Sequence, residues 1–150
     1  MTDLDGIDRA ILEVLSADGR VTMVDLARRV GLTKTPCQAR VSRLEAQGII
    51  RGYAALLDPV RLGRDHVAFV QVTLSDTRGG ALAAFNAAVM GLAEIEQCHM
   101  IAGGFDYLLK VRTRDIREYR RIMGEVISGL PHVASTSTFV AMESVKEEMF

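Results

Sequence analysis

Between Arg20 and Arg51 the chain holds seven bases (Arg20, Arg28, Arg29, Lys34, Arg40, Arg43, Arg51) against two acids, Asp25 and Glu45. A local excess of this kind calls for an anionic partner. Thr33, Lys34, Thr35 and Gln38 cluster where a helix would begin, and there free backbone N–H groups and the helix dipole favour phosphate. With Cys37, Val41 and Leu44 turned inward, about 100° per residue puts Ala39, Ser42 and Arg43 near the opposite face, flanked by Arg40 and Gln47. Gln38, Ser42 and Arg43 are side-chain types that hydrogen-bond base edges, while Thr33, Lys34, Thr35, Arg28 and Arg29 suit phosphate oxygens. The competing reading is that three amphipathic helices simply pack together and the arginines form a solvated face.

Three short helices over residues 5–47 would position these groups. Ile7, Ala10, Ile11, Val14 and Leu15 fall on one stripe, which Asp18-Gly19-Arg20 ends. Thr22 and Asp25 form a capping pair for a second stripe, Met23, Leu26, Ala27 and Val30, closed by Gly31. Thr35-Pro36-Cys37-Gln38 predicts a third helix with Thr35 as its cap and Pro36 at its first position, stopped by Gly48. The turn Gly31 to Lys34 then makes a helix-turn-helix, whose second helix can enter a major groove.

From Ile49 the pattern turns strand-like. Ile49 to Leu57 reads as a hinge strand and Asp58-Pro59 as a turn. Beyond it, His66–Leu74, Glu94–Ala102, Phe105–Thr113 and Val133–Glu143 read as strands, and Ala81–Met90 and Asp115–Gly129 as helices, with Gly103-Gly104 as a two-residue hairpin turn. The order β-α-β-β-α-β is the ferredoxin-like pattern. Phe105, Tyr107, Leu109 and Val111 line one side of their strand, and neither side of the first strand is plainly polar. A sheet with helices on one face and apolar groups on both predicts a covering second copy, hence a homodimer.

Other chemistries find little support. At 150 residues, 49% apolar and 25% charged, the chain is the size of one domain or two small ones and is not expected to be disordered. No run reaches the roughly 18 apolar residues of a membrane helix, and the acidic start MTDLDGIDRA is unlike a secretion signal, so a cytoplasmic place is expected. Cys37 and Cys98 read as buried small apolar residues, and Cys98-His99 points to opposite faces of a strand and makes no metal site. His66, His132, Ser135, Ser137 and Thr138 form no argued catalytic set, and Gly103-Gly104 lacks the lysine and helix of a phosphate loop. No enzyme activity, metal or cofactor is expected.

At LTKTPCQARVSRLEAQGIIRGYAALLDP, CHMIAGGFDYLLKVRTRDI and TSTFVAME the chain resembles the leucine-responsive regulatory protein family (Lrp/AsnC) of bacterial transcription factors, from Leu4 to about Lys146. The resemblance implies an α+β protein: an N-terminal winged helix-turn-helix (1–50), a hinge strand and linker (51–65), and a ferredoxin-like βαββαβ effector and oligomerisation domain, an α/β sandwich (66–150). It implies dimers assembling to tetramers or octamers on double-stranded DNA. The run IAGGFDYLLKVRT is also similar to members that activate proline catabolism. An amino-acid effector, leucine or proline, is implied between dimers near the turn joining the second and third strands. Matching positions are Gly103, Gly104 and Asp106, with Met100, Ile116, Thr136 and Thr138 nearby. Glycine leaves N–H groups open to a carboxylate and Asp106 would accept from an ammonium, although Gly-Gly also suits a ligand-free hairpin and Asp106 a solvated one. Effector binding would change assembly and so which half-sites are held together. The alternative function is a metabolite-sensing regulatory subunit whose helical half docks a protein rather than DNA.

Overall fold

The computed structural model describes residues 3–147, so the outer limits expected for the two domains, at residues 1 and 150, lie outside the described residues. The chain divides into two compact units between Leu56 and Leu57, within the linker expected over 51–65.

The first unit is helical: α1 (Gly6–Ala17), α2 (Met23–Arg29) and α3 (Lys34–Ala46). Ile11, Leu26, Ala27, Cys37, Val41 and Leu44 are buried in its core, so the stripes read from periodicity do meet. Thr22 caps α2, its Oγ1 accepting from the Asp25 N–H at 3.2 Å. Gly31 and Gly48 stand at φ +73° and +69°, each just past a helix, where the left-handed turn favours glycine. Around Gly48 the Ile49 N–H donates to the Leu44 carbonyl at 3.0 Å and the Gly48 N–H to that of Glu45 at 2.9 Å, which satisfies the free carbonyls of the last turn.

Two expectations change here. α3 starts at Lys34 with Thr33 in the cap position, so Thr35 lies inside the first turn and Pro36 one residue after it. Proline is tolerated there because first-turn N–H groups have no intrahelical partner. The hinge strand expected over Ile49–Leu57 is not formed: Ile49 and Ile50 spend their N–H groups on Leu44 and pack against the helical core, and residues 51–58 have no ladder among the described residues. A strand needs a neighbour to bond with, and among the described residues this segment has none.

The second unit holds β1 (His66–Leu74), α4 (Gly79–Met90), β2 (Ile95–Met100), β3 (Tyr107–Thr113), α5 (Ile116–Glu125), a 3-10 turn (Ile127–Gly129) and β4 (Val133–Val140). The sheet is antiparallel in the order β2-β3-β1-β4. This is the α+β, ferredoxin-like arrangement expected. Ala68, Val70, Val72, Tyr107, Leu109 and Val111 face the helices and pack on Phe85, Val89, Tyr119 and Ile122. Phe85 and Tyr107 have ring centroids 4.4 Å apart. The last helix is shorter than expected and ends in the 3-10 turn, while β2, β3 and β4 are each trimmed at their ends.

The opposite face of the sheet carries Phe69, 36% exposed, beside Phe139, 54% exposed. Phe69 also stands opposite Lys110, and Val67 opposite Arg112. These cations are neutralised locally: Arg112 Nε donates to Glu96 at 2.5 Å and Nη2 to Glu147 at 2.7 Å, and Lys110 pairs with the same two acids.

Candidate nucleic-acid interface and effector loop

The helical unit is built around a buried carboxylate that the sequence reading passed over. Asp5 caps α1 and Asp8 answers it: the Asp8 N–H donates to Asp5 Oδ1 at 2.8 Å and the Asp5 N–H to Asp8 Oδ2 at 3.3 Å. Asp8 is 1% exposed. Arg40 Nη1 donates to Asp8 Oδ1 at 2.8 Å and to Asp5 Oδ2 at 2.7 Å, and Arg43 Nη2 to Asp8 Oδ2 at 2.5 Å. Burial pushes the Asp8 carboxyl up, but the hydrogen bonds from Arg40, Arg43 and the Asp5 backbone outweigh it and hold the group below the usual carboxylate range. Asp5 is likewise held low, by the Asp8 N–H and by Arg40.

This geometry changes the part assigned to two arginines. Arg43 is expected to read a base edge and Arg40 to flank it; both bond the carboxylates at the start of α1 and brace α3 against it, with the Arg43 side chain still 45% exposed. Polar groups remain on the outward face of α3. Thr35, Gln38 and Ser42 are exposed and fall within one arc, with Ala39 at its edge. Lys34 and Thr33 lie exposed at the start of the helix, where N–H groups are free. On α2, Arg28 donates to Asp25 at 2.7 Å as a solvent-exposed pair, and Arg29 has no ion pair among the described residues. On the other flank Tyr53 Oη donates to Glu45 at 3.0 Å; burial and then this carboxylate push its phenol up.

In the sheet unit the expected two-residue Gly103-Gly104 turn is a longer loop. The Ile101 N–H donates to the Asp106 carbonyl at 2.8 Å and closes four residues, 102–105, so Phe105 belongs to the loop and not to β3. Neither Gly103 nor Gly104 has the positive φ that a two-residue turn of that kind demands. Both are exposed. Asp106 is not simply solvated: its Oδ2 accepts from the Leu74 N–H at 2.7 Å, and its own N–H donates to the Val72 carbonyl at 2.9 Å. Leu74 sits where the β1–β4 register shifts, so the side chain caps an amide that the ladder leaves over.

Met100 stands opposite Tyr107, which faces Val72, which faces Thr136, so Met100 and Thr136 lie on one row near the loop. Thr138 is one row further in and bonds the Tyr119 hydroxyl at 2.6 Å. Ile116 opens α5 beyond Thr113, at the other end of the sheet, about 20 Å along β3 from Tyr107. One chain therefore gathers Met100, Gly103, Gly104, Asp106 and Thr136 and leaves Ile116 apart. Cys37 is buried as expected, but Cys98 is only half-buried against the core because β2 is an edge strand, while His99 is exposed on the other face. No group of three metal-ligating side chains occurs among the described residues.

The family model described as Lrp/AsnC ligand binding domain matches residues 67–149, and that described as winged helix-turn-helix DNA-binding matches residues 4–51. The chain belongs to the Lrp/AsnC family. It is similar to a proline dehydrogenase transcriptional activator of Rhizobium radiobacter, 61% identical over 97% of this chain and 93% of that protein. It is similar also to the leucine-responsive regulatory protein of Escherichia coli K12, 50% identical over 97% of this chain and 88% of the other. Among solved structures, a Neisseria meningitidis transcriptional regulator in complex with L-methionine superposes with a TM-score of 0.89 at 32% identity, covering 97% of this chain and 94% of that one. This Lrp/AsnC chain is a DNA-binding transcription regulator with a ligand-binding domain, and its relatives are regulators, not enzymes.

Proposed function

We propose that this regulator controls amino-acid metabolism genes, proline use foremost, and responds to a free amino acid, proline or leucine, held at the 101–106 loop. Similarity to the proline dehydrogenase activator supports the gene class, and the leucine-responsive relative supports the second effector. The observation that carries the DNA half is the outward arc of α3, where Thr35, Gln38 and Ser42 are exposed while the neighbouring arginines are occupied. Gln38 and Ser42 read base edges; Thr33, Lys34, Thr35, Arg28 and Arg29 hold phosphates; Arg40 and Arg43 set the tilt of α3. At the loop, the exposed N–H groups of Gly103 and Gly104 receive the effector carboxylate, with Met100 and Thr136 beside them. Asp106 already serves Leu74, so only its second oxygen is left for the ammonium.

The apolar Phe69 and Phe139 on the helix-free face support a homodimer, with tetramers or octamers built from it. Because Ile116 stands apart from the loop, its part in the effector site requires a second copy to supply it. A cytoplasmic place follows from the regulatory role; among the described residues no helix is long and apolar enough to cross a membrane. The test combines anisotropy of promoter fragments at two salt concentrations with a thermal-shift screen of the twenty amino acids. Steeply salt-dependent binding and a selective rise with proline or leucine are expected; salt-independent binding, or no rise with any amino acid, overturns the corresponding half.

A further inference from the structure

The outer face of α5 is strongly cationic, and neither the α3 surface nor the effector loop uses it. Arg117, Arg120 and Arg121 fall on the side of the helix away from buried Tyr119 and Ile122, and with Gly124 and Glu125 they line a shallow depression of about 420 Å³. Acids of the same helix leave two of the three, Arg117 and Arg120, without a partner among the described residues. Glu118 is taken by Arg114, which donates to it from its backbone at 2.7 Å and from its side chain at 3.0 Å. Glu125 meets Arg121 at 3.2 Å as a solvent-exposed pair, readily exchanged for another anion. Arg117 and Arg120 have no ion pair among the described residues. At 1.5 Å rise per residue the three guanidinium stems span about 6 Å of helix, room for adjacent phosphates of one strand.

We propose that this face binds the phosphate backbone of duplex DNA, as a second, sequence-blind contact on a stretch of DNA other than the one read by α3. DNA is the occupant because the chain already binds it and because exposed Arg117 and Arg120, with no ion pair among the described residues, complement a polyanion. The contact carries no base preference, so it adds length and salt dependence to binding rather than specificity.

The inference rests on DNA binding by the helical unit, and the experiment separates the two. The full chain and the double variant Arg117→Gln/Arg120→Gln are titrated with a duplex of a single half-site and with a fragment of many helical turns, between 50 and 200 mM salt. On the long fragment the variant's salt slope is expected to fall by about 1.8, so that the wild type loses roughly tenfold more affinity over that range. On the half-site duplex the two proteins should match, and Arg117→Lys/Arg120→Lys should restore the long-fragment slope. An unchanged slope on the long fragment, or an equal fall on both duplexes, overturns the proposal while leaving α3 as reader. A variant that changes its sedimentation without changing its slope makes this a face between copies and overturns it too. Wild-type protein that binds neither duplex overturns both readings.

Discussion

Replacing Asp8 by asparagine keeps the volume and removes the charge on which α1 and α3 converge. The lost partners are the two guanidinium groups at 2.8 and 2.5 Å, while an amide oxygen can still accept one bond. Removing one member of a buried ion pair costs about 3–5 kcal/mol; Arg40 and Arg43 side chains are 29% and 45% exposed and can regain water, which points to the lower end, about 3 kcal/mol. Native-state hydrogen exchange at the α1 and α3 amides is the suitable assay, because it reads the helical unit separately from the sheet. Exchange there should speed by roughly a hundredfold, with the β1 and β3 amides unaffected. The sign of the pH dependence follows from the depressed carboxyl: its stabilisation is complete above the ordinary carboxylate value and is lost as pH falls through the lower folded value. The gap between wild type and Asp8→Asn should therefore be full at pH 7 and close in acid. Equal exchange in the two proteins at pH 7, or a gap that persists at strongly acid pH, would refute the reasoning.

Three further outcomes are expected. Gln38→Ala should cost about 1–3 kcal/mol on the preferred operator and little on random DNA, whereas Arg29→Ala should weaken all sequences alike and reduce the salt slope by about 1, as read by anisotropy. Phe85→Ala, which empties a fully buried site against Tyr107, should destabilise the sheet unit by about 3–5 kcal/mol in urea unfolding and leave half-site binding intact. The Cys37 thiol, pushed up by burial, should resist a thiol reagent at pH 8 in the folded protein and react only after unfolding, which peptide mapping would detect.

Local signals in the sequence carried far. Periodicity placed the stripes of α1, α2 and α3, Thr22 declared its cap, and Gly31 and Gly48 marked their stops, because each depends on residues within one or two turns. The β-α-β-β-α-β order was legible for the same reason. Contacts across 32 and 35 residues were not: the Asp5-x-x-Asp8 pair could have been read as a capping box, but nothing local shows that Arg40 and Arg43 close on it. Outward position on a helical wheel does not show which partners a side chain already holds. Gly103-Gly104 has the composition of a tight turn, whereas the Ile101–Asp106 pairing sets the loop length. The hinge strand failed because strand propensity says nothing about a bonding neighbour.

The tethering of Arg40 and Arg43 separates two kinds of change in α3. Exchanging either arginine disturbs how the motif holds together, whereas Thr35, Gln38 and Ser42 are short or uncharged groups that hold up no core. On the roles proposed above, operator preference drifts through Gln38 and Ser42 while the scaffold stays intact, so descendants of one ancestral regulator can acquire new targets by single, structurally silent steps.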